Sequence, residues 1–109
     1  MNTIYEALSD PIRRQILDLL RERPHHVGEL VTLLGKSQPN VSKHLRVLRE
    51  AGLVQVRQAA QQRWYALDPT PLAELDTWLE SFRVLWAERY DRLKDYLATL
   101  PPEDSDLTE

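Results

Sequence analysis

Ser37-Gln38-Pro39-Asn40-Val41-Ser42-Lys43-His44-Leu45-Arg46-Val47-Leu48-Arg49-Glu50-Ala51-Gly52-Leu53 carries the strongest structural signal in the chain. Val41, Leu45 and Leu48 fall at i, i+4 and i+7, so they share one helical face and need a core behind them. The opposite arc carries Ser42, Lys43 and Arg46, with Gln38 and Asn40 near the start. Side chains of these types hydrogen-bond base edges and neutralise phosphates. Ser37 suits an N-cap, Pro39 is tolerated in a first turn, and Gly52 suits a left-handed stop. The pattern predicts a short helix able to lie in a DNA major groove.

The rest of the chain gives that helix its setting. At 109 residues there is room for one real core, not two. With 42% apolar and 28% charged residues, the composition is that of an ordinary globular protein. The absence of cysteine excludes disulfides, thiolate metal sites and a cysteine nucleophile. No secretory signal or apolar run of spanning length is present, so no membrane partner is expected and a cytoplasmic location is the default. The net charge of −3 hides a strong asymmetry. Residues 1–35 carry a net −1, residues 36–67 a net +5 and residues 68–109 a net −7. A polyanion senses charge within a Debye length of roughly 8–10 Å, so the basic middle outweighs the formal total.

A short helix over residues 2–8 is expected first, with Ile4, Ala7 and Leu8 on one side. Asp10-Pro11 then starts a second helix that runs to about Arg23 and ends before Pro24. His25-His26 reads as a loop leading into a third helix over Val27–Leu34, stopped by Gly35. Two helices joined by a short glycine-containing turn make a helix-turn-helix. Beyond Gly52 the period changes to two. Leu53–Gln58 and Arg63–Leu67 read as the strands of a hairpin wing. Its link, Ala59-Ala60-Gln61-Gln62, lacks the Gly or Asn of a tight turn, which predicts a longer or more mobile tip.

After Pro69 and Pro71, with Thr70 or Asp68 as cap, a long helix runs to about Thr99. About 30 residues at 1.5 Å rise span on the order of 45 Å, longer than a small domain needs. Leu72, Leu79, Trp86, Leu93 and Leu100 repeat every seven residues, joined by Leu75, Phe82 and Tyr96, and Trp78, Leu85 and Leu97 widen the face. Such a stripe predicts contact with a second subunit. The expected fold is mainly α with a small β-hairpin: a winged helix-turn-helix of four helices, a wing and a long fifth helix. Residues 1–100 form the DNA-binding and dimerisation domain, and residues 101–109 an acidic, disordered tail.

Ala7-Leu8-Ser9-Asp10-Pro11-Ile12-Arg13-Arg14-Gln15-Ile16-Leu17, Ser37–Leu45 and Leu48–Val54 occur in this order, and through them the chain resembles the ArsR/SmtB family of bacterial winged-helix repressors. The likeness covers about residues 2–99. It implies a homodimer joined through its first and last helices that reads a palindromic operator near a promoter. Metal-sensing members carry a Cys pair in the third helix or Asp/His/Glu ligands on the last. Here the third helix has no Cys, and the last has Asp76, Glu80 and Glu88 but no His. The aromatic-rich last helix resembles the metal-independent branch, which implies no cofactor and no metal.

The expected DNA-binding residues are Ser37, Gln38, Asn40, Ser42, Lys43, His44 and Arg46 on the reading helix, with Arg57 and Arg63 on the wing. The bland alternatives are an amphipathic surface helix and a solvated hairpin. His44 lies at the core flank and divides between helix packing and phosphate contact. The expected dimer contacts are Ile4, Leu8, Leu79, Phe82, Trp86 and Leu93. Trp78, Phe82 and Trp86 could line an effector pocket, but aromatic stripes at this spacing more often pack. His25-His26 offers no third ligand nearby, and Asp76/Glu80 and Glu88/Asp91 read as a solvated acidic face. No nucleophile–base pair or phosphate-cradling glycine loop stands out, so the pattern is not that of an enzyme. Two rival readings remain: a protein–protein module on the same fold, and a metal- or ligand-responsive sensor with a non-standard site.

Overall fold

The computed structural model describes residues 3–102. The acidic tail expected over 101–109 therefore lies, from residue 103 on, outside the described residues. Helix α1 (Ile4–Leu8) starts at Thr3, whose hydroxyl accepts from the Glu6 N–H at 3.2 Å. Helix α2 (Pro11–Glu22) starts at Asp10, whose Oδ1 accepts from the N–H groups of Ile12 and Arg13 at 2.7 and 3.3 Å. These bonds satisfy donors that no helical carbonyl can reach. Partial burial pushes the Asp10 carboxyl up. The two N–H bonds, with the charge of Arg13, outweigh that and hold it below the ordinary range.

A short strand, β1 (His25–His26), precedes α3 (Val27–Leu34). This corrects the expected loop. His25 pairs with Tyr65 and His26 with Trp64 in strand β3 (Gln62–Leu67), which also pairs antiparallel with β2 (Val54–Ala59), giving the order β1-β3-β2. His26 then caps α3: its Nδ1 accepts from the Glu29 N–H while Glu29 Oε1 accepts from the His26 N–H, both at 3.3 Å. This reciprocal pair is a capping box with His in the hydroxyl's place. Gly35 ends α3 with φ +66°, a left-handed backbone that favours glycine.

Helix α4 (Gln38–Glu50) follows directly. Its Val41, Leu45 and Leu48 are at most 1% exposed, and they meet Ala7, Ile16, Leu20, Leu30, Leu53 and Val54 in one core. Each leucine buried this fully contributes about 1.5–3 kcal/mol relative to exposure. Ile4, expected at a dimer face, is only 6% exposed and belongs to the core of its own chain, whereas Leu8 is half-buried.

The wing tip also departs from expectation. Ala59 faces Gln62 in register, so only Ala60 and Gln61 make the turn, at φ 53° and 62°. Val54 and Val56 sit opposite Leu67 and Tyr65, and a one-residue slip would turn all four away from the core. That register imposes left-handed backbone on two ordinary residues, at about 1–2 kcal/mol each.

The chain divides into two units, the second beginning at Leu75 inside α5 (Leu72–Ala98). An Asx turn leads into this helix: Asp68 Oδ1 accepts from the Thr70 N–H at 3.0 Å and Oδ2 from Gln55 at 2.8 Å. Along α5, Trp78, Phe82 and Trp86 form a ladder, edge-to-face at 4.9 Å and then stacked at 6.2 Å between centroids. Arg83 binds Asp76 at 2.5 Å and Glu80 at 2.6 Å, so that acidic pair holds a guanidinium. No residue of α5 is buried, and Trp86 and Leu93 are 55% and 54% exposed.

Candidate nucleic-acid interface

Three local devices aim α4 outward. Gly35 turns the chain out of α3, Ser37 Oγ accepts from the Asn40 N–H at 3.3 Å, and Pro39 occupies the first turn without losing a bond. The Ser37 hydroxyl thus holds the start of the helix. With its apolar stripe in the core, α4 leaves Gln38, Asn40, Ser42, Lys43, Arg46 and Arg49 exposed.

A cleft of about 410 Å³ runs between α4 and the wing, lined by Ser42, Lys43, Arg46, Arg49, Arg63 and Tyr65 among others. A neighbouring cleft of about 360 Å³ shares Ser42, Arg63 and Tyr65 and continues to Gln38, Gln61 and Gln62. Helix and wing tip therefore border one polar, basic groove. Ion pairs among the described residues run elsewhere, joining Asp18 to Arg21, Arg23 to Glu29, and partners within α5. Lys43, Arg46, Arg49 and Arg63 thus keep their charges unpaired among the described residues. A concave surface with this field draws in a polyanion.

The structure separates the two wing arginines. Arg63 shares the sheet face of Tyr65 and joins the groove, whereas Arg57 lies opposite Trp64 on the other face. There it lines a separate cleft of about 310 Å³ with Pro24, Gln55 and Trp64. Arg49 and Tyr65 did not stand out in the sequence. Yet Ser42, Arg46 and Arg49 fall at i, i+4 and i+7, a polar stripe that signals the same face. His44 is half-buried on the other flank, its Nδ1 3.3 Å from Arg13 Nη1.

The histidine pair is structural. His25 is 4% exposed, with Nδ1 3.4 Å from Glu29 Oε1 but without a well-formed hydrogen bond. Glu29 also receives Arg23 at 2.9 Å. That bond, helped by the His26 N–H and the Arg23 charge and opposed by desolvation, holds its carboxyl at about 2. Among the described residues no group of three or more His, Cys, Asp or Glu is placed to hold a metal ion. No described helix is long and apolar enough to cross a membrane.

Residues 10–56, which span α2 to β2, match the family model of bacterial regulatory proteins of the arsR family. The chain is 45% identical over 91 residues to the HTH-type transcriptional regulator Rv2034 of Mycobacterium tuberculosis, covering 84% of this chain and 85% of that one. The chain belongs to the ArsR family. It is also 34% identical over 82 residues to the transcriptional repressor SdpR of Bacillus subtilis, covering 75% of this chain and 91% of the relative. Among solved structures, it superposes on a possible transcriptional regulator for arsenical resistance with a TM-score of 0.66 and 37% identity, covering 89% of this chain and 95% of that one. A similar match joins it to the ArsR family regulator RHA00566, with a TM-score of 0.68 and 30% identity, covering 77% and 87%. The fold is therefore the winged helix-turn-helix of ArsR-family transcriptional regulators, which are DNA-binding proteins and not enzymes.

Proposed function

We propose that this ArsR-family chain is a homodimeric repressor that reads a palindromic operator. The observation that carries the proposal is the groove in which Ser42, Lys43, Arg46, Arg49 and Arg63 converge with no acidic partner among the described residues. In this reading α4 enters the major groove. Gln38, Asn40 and Ser42 meet base edges, Lys43 and Arg46 meet bases or phosphates, and Arg63 follows the flanking backbone. Arg57, on the far face of the wing, has the weaker claim to the same DNA. Leu8, Leu79, Phe82, Trp86 and Leu93 meet a second copy. The support is a helix with no residue buried by its own chain and apolar residues at heptad spacing.

A dimer sets two reading helices about one helical turn apart, and this geometry calls for an inverted repeat. Repression follows from occupying a promoter, and the Bacillus subtilis relative is named a transcriptional repressor. The reading places the protein with the chromosome, in the cytoplasm, over a working domain of residues 1–100, and needs no cofactor or metal. A salt-titrated binding assay with purified protein and duplex DNA tests it. A steep, linear fall of log affinity with log salt is the expected result, and no binding at low salt would sink the proposal. Adding zinc or a chelator should leave the curve unchanged, and a shift would favour a metal sensor. Sedimentation equilibrium of the same sample should give a dimer.

A further inference from the structure

Arg13 ties together three parts of the fold. Its Nε donates to the Ala7 carbonyl at 2.8 Å and its Nη2 to the Glu6 carbonyl at 2.9 Å, closing the open end of α1. Its Nη1 lies 3.3 Å from Nδ1 of His44, on the reading helix. A guanidinium has donors and no acceptor. In this contact Nδ1 must therefore accept, which leaves the ring neutral with its single proton on Nε2. Among the described residues, the one side-chain nitrogen or oxygen buried without a partner is Nδ1 of His25, so Nε2 of the half-buried His44 is not a buried, unpartnered atom. The acidic group facing the pair is Asp10, and both its hydrogen bonds to backbone N–H engage the α2 start.

A helix lying in a major groove has a phosphate backbone on each side. Arg49 and Arg63 serve the flank toward the wing, whereas His44 stands on the flank toward α2. We infer that Arg13 is a positioning residue: it fixes the His44 tautomer and so presents Nε2–H as an uncharged donor to a DNA backbone phosphate. The inference rests on the DNA-reading role of α4. It assigns the second flank a contact that adds affinity for any sequence while releasing no counterion, because no positive charge is brought to the phosphate.

The test combines spectroscopy with two side-chain replacements. Long-range proton–nitrogen NMR of the free protein should show His44 protonated at Nε2 alone. Arg13→Lys, which cannot reach all three acceptors, should spread the proton over both ring nitrogens. His44→Gln places an amide donor near the former Nε2, whereas His44→Asn keeps only the Nδ1 side. On a random-sequence duplex, His44→Asn should bind roughly ten- to a hundredfold more weakly for each phosphate bond removed, the scale of a hydrogen bond to a charged partner. Its salt slope should equal that of the wild type, and His44→Gln should recover most of the affinity. A proton on Nδ1, or equal affinity of His44→Asn and wild type, overturns the inference. So does a shallower salt slope in His44→Asn, because it would mark a charged contact. If wild-type protein fails to bind DNA at all, the reading of α4 falls as well; if wild type binds and only the His44 effects are missing, this inference alone falls.

Discussion

Replacing Lys43 and Arg46 together by alanine should change the salt dependence of DNA binding more than it changes the protein. Both side chains are exposed and outside every ion pair among the described residues, so they bring full positive charges to the groove. Each phosphate contact contributes about 0.9 to the slope of log affinity against log salt. Two cations per protomer become four in the proposed dimer, so the double variant should have a slope shallower by about 3–4. Raising the salt from about 50 to 200 mM should then shrink the wild-type advantage by roughly a hundredfold. Fluorescence anisotropy with a labelled random-sequence duplex reads this directly. Thermal unfolding should be nearly unchanged, because neither side chain enters the core. A folded variant with the wild-type slope would refute the placing of these two charges against the DNA.

Three further outcomes probe the frame that holds the groove. Ala60→Asn with Gln61→Gly gives the wing the residues that left-handed turns prefer, and should stabilise the protein by about 1–2 kcal/mol in chemical denaturation. A drop in stability would contradict the tight turn. Leu48→Ala, at a position with no exposure, should cost about 2–5 kcal/mol by the same measurement, and a cost under about 1 kcal/mol would contradict its place in the core. The third outcome concerns pH. The Glu29 carboxyl is held at about 2, against an ordinary 4.5, so its stabilising effect is complete above the ordinary value and fades as pH falls toward 2. The difference in melting temperature between wild type and Glu29→Gln should therefore be constant near neutrality and close on acidification, and a widening gap would reverse the reading.

Elements marked by their own residues were legible in the sequence. Asp10-Pro11, Gly35 and Ser37 punctuate the helices, and Val41, Leu45 and Leu48 declare the buried side of α4. What escaped depends on distant partners. A two-residue strand has no period to read, and His25-His26 becomes one because Tyr65 and Trp64 lie alongside. The tip residues Ala60 and Gln61 argue against a tight turn, yet core-facing valines further down the hairpin set the register and override them. Arg13 gave no sign of its role, because its acceptors lie on α1 and α4 and meet only in the fold. The groove was half legible: the α4 face was visible, whereas the choice of Arg63 over Arg57 waited on strand register.

In the proposed dimer, two copies of α4 read DNA as a symmetric pair. Selection of bound duplexes from a random-sequence library by the purified protein probes that symmetry. The selected pool should be enriched in an inverted repeat whose half-sites are centred about one helical turn, roughly 10 base pairs, or a multiple of it apart. A library that emerges without any enriched sequence, or with only a single unpaired half-site, would contradict it.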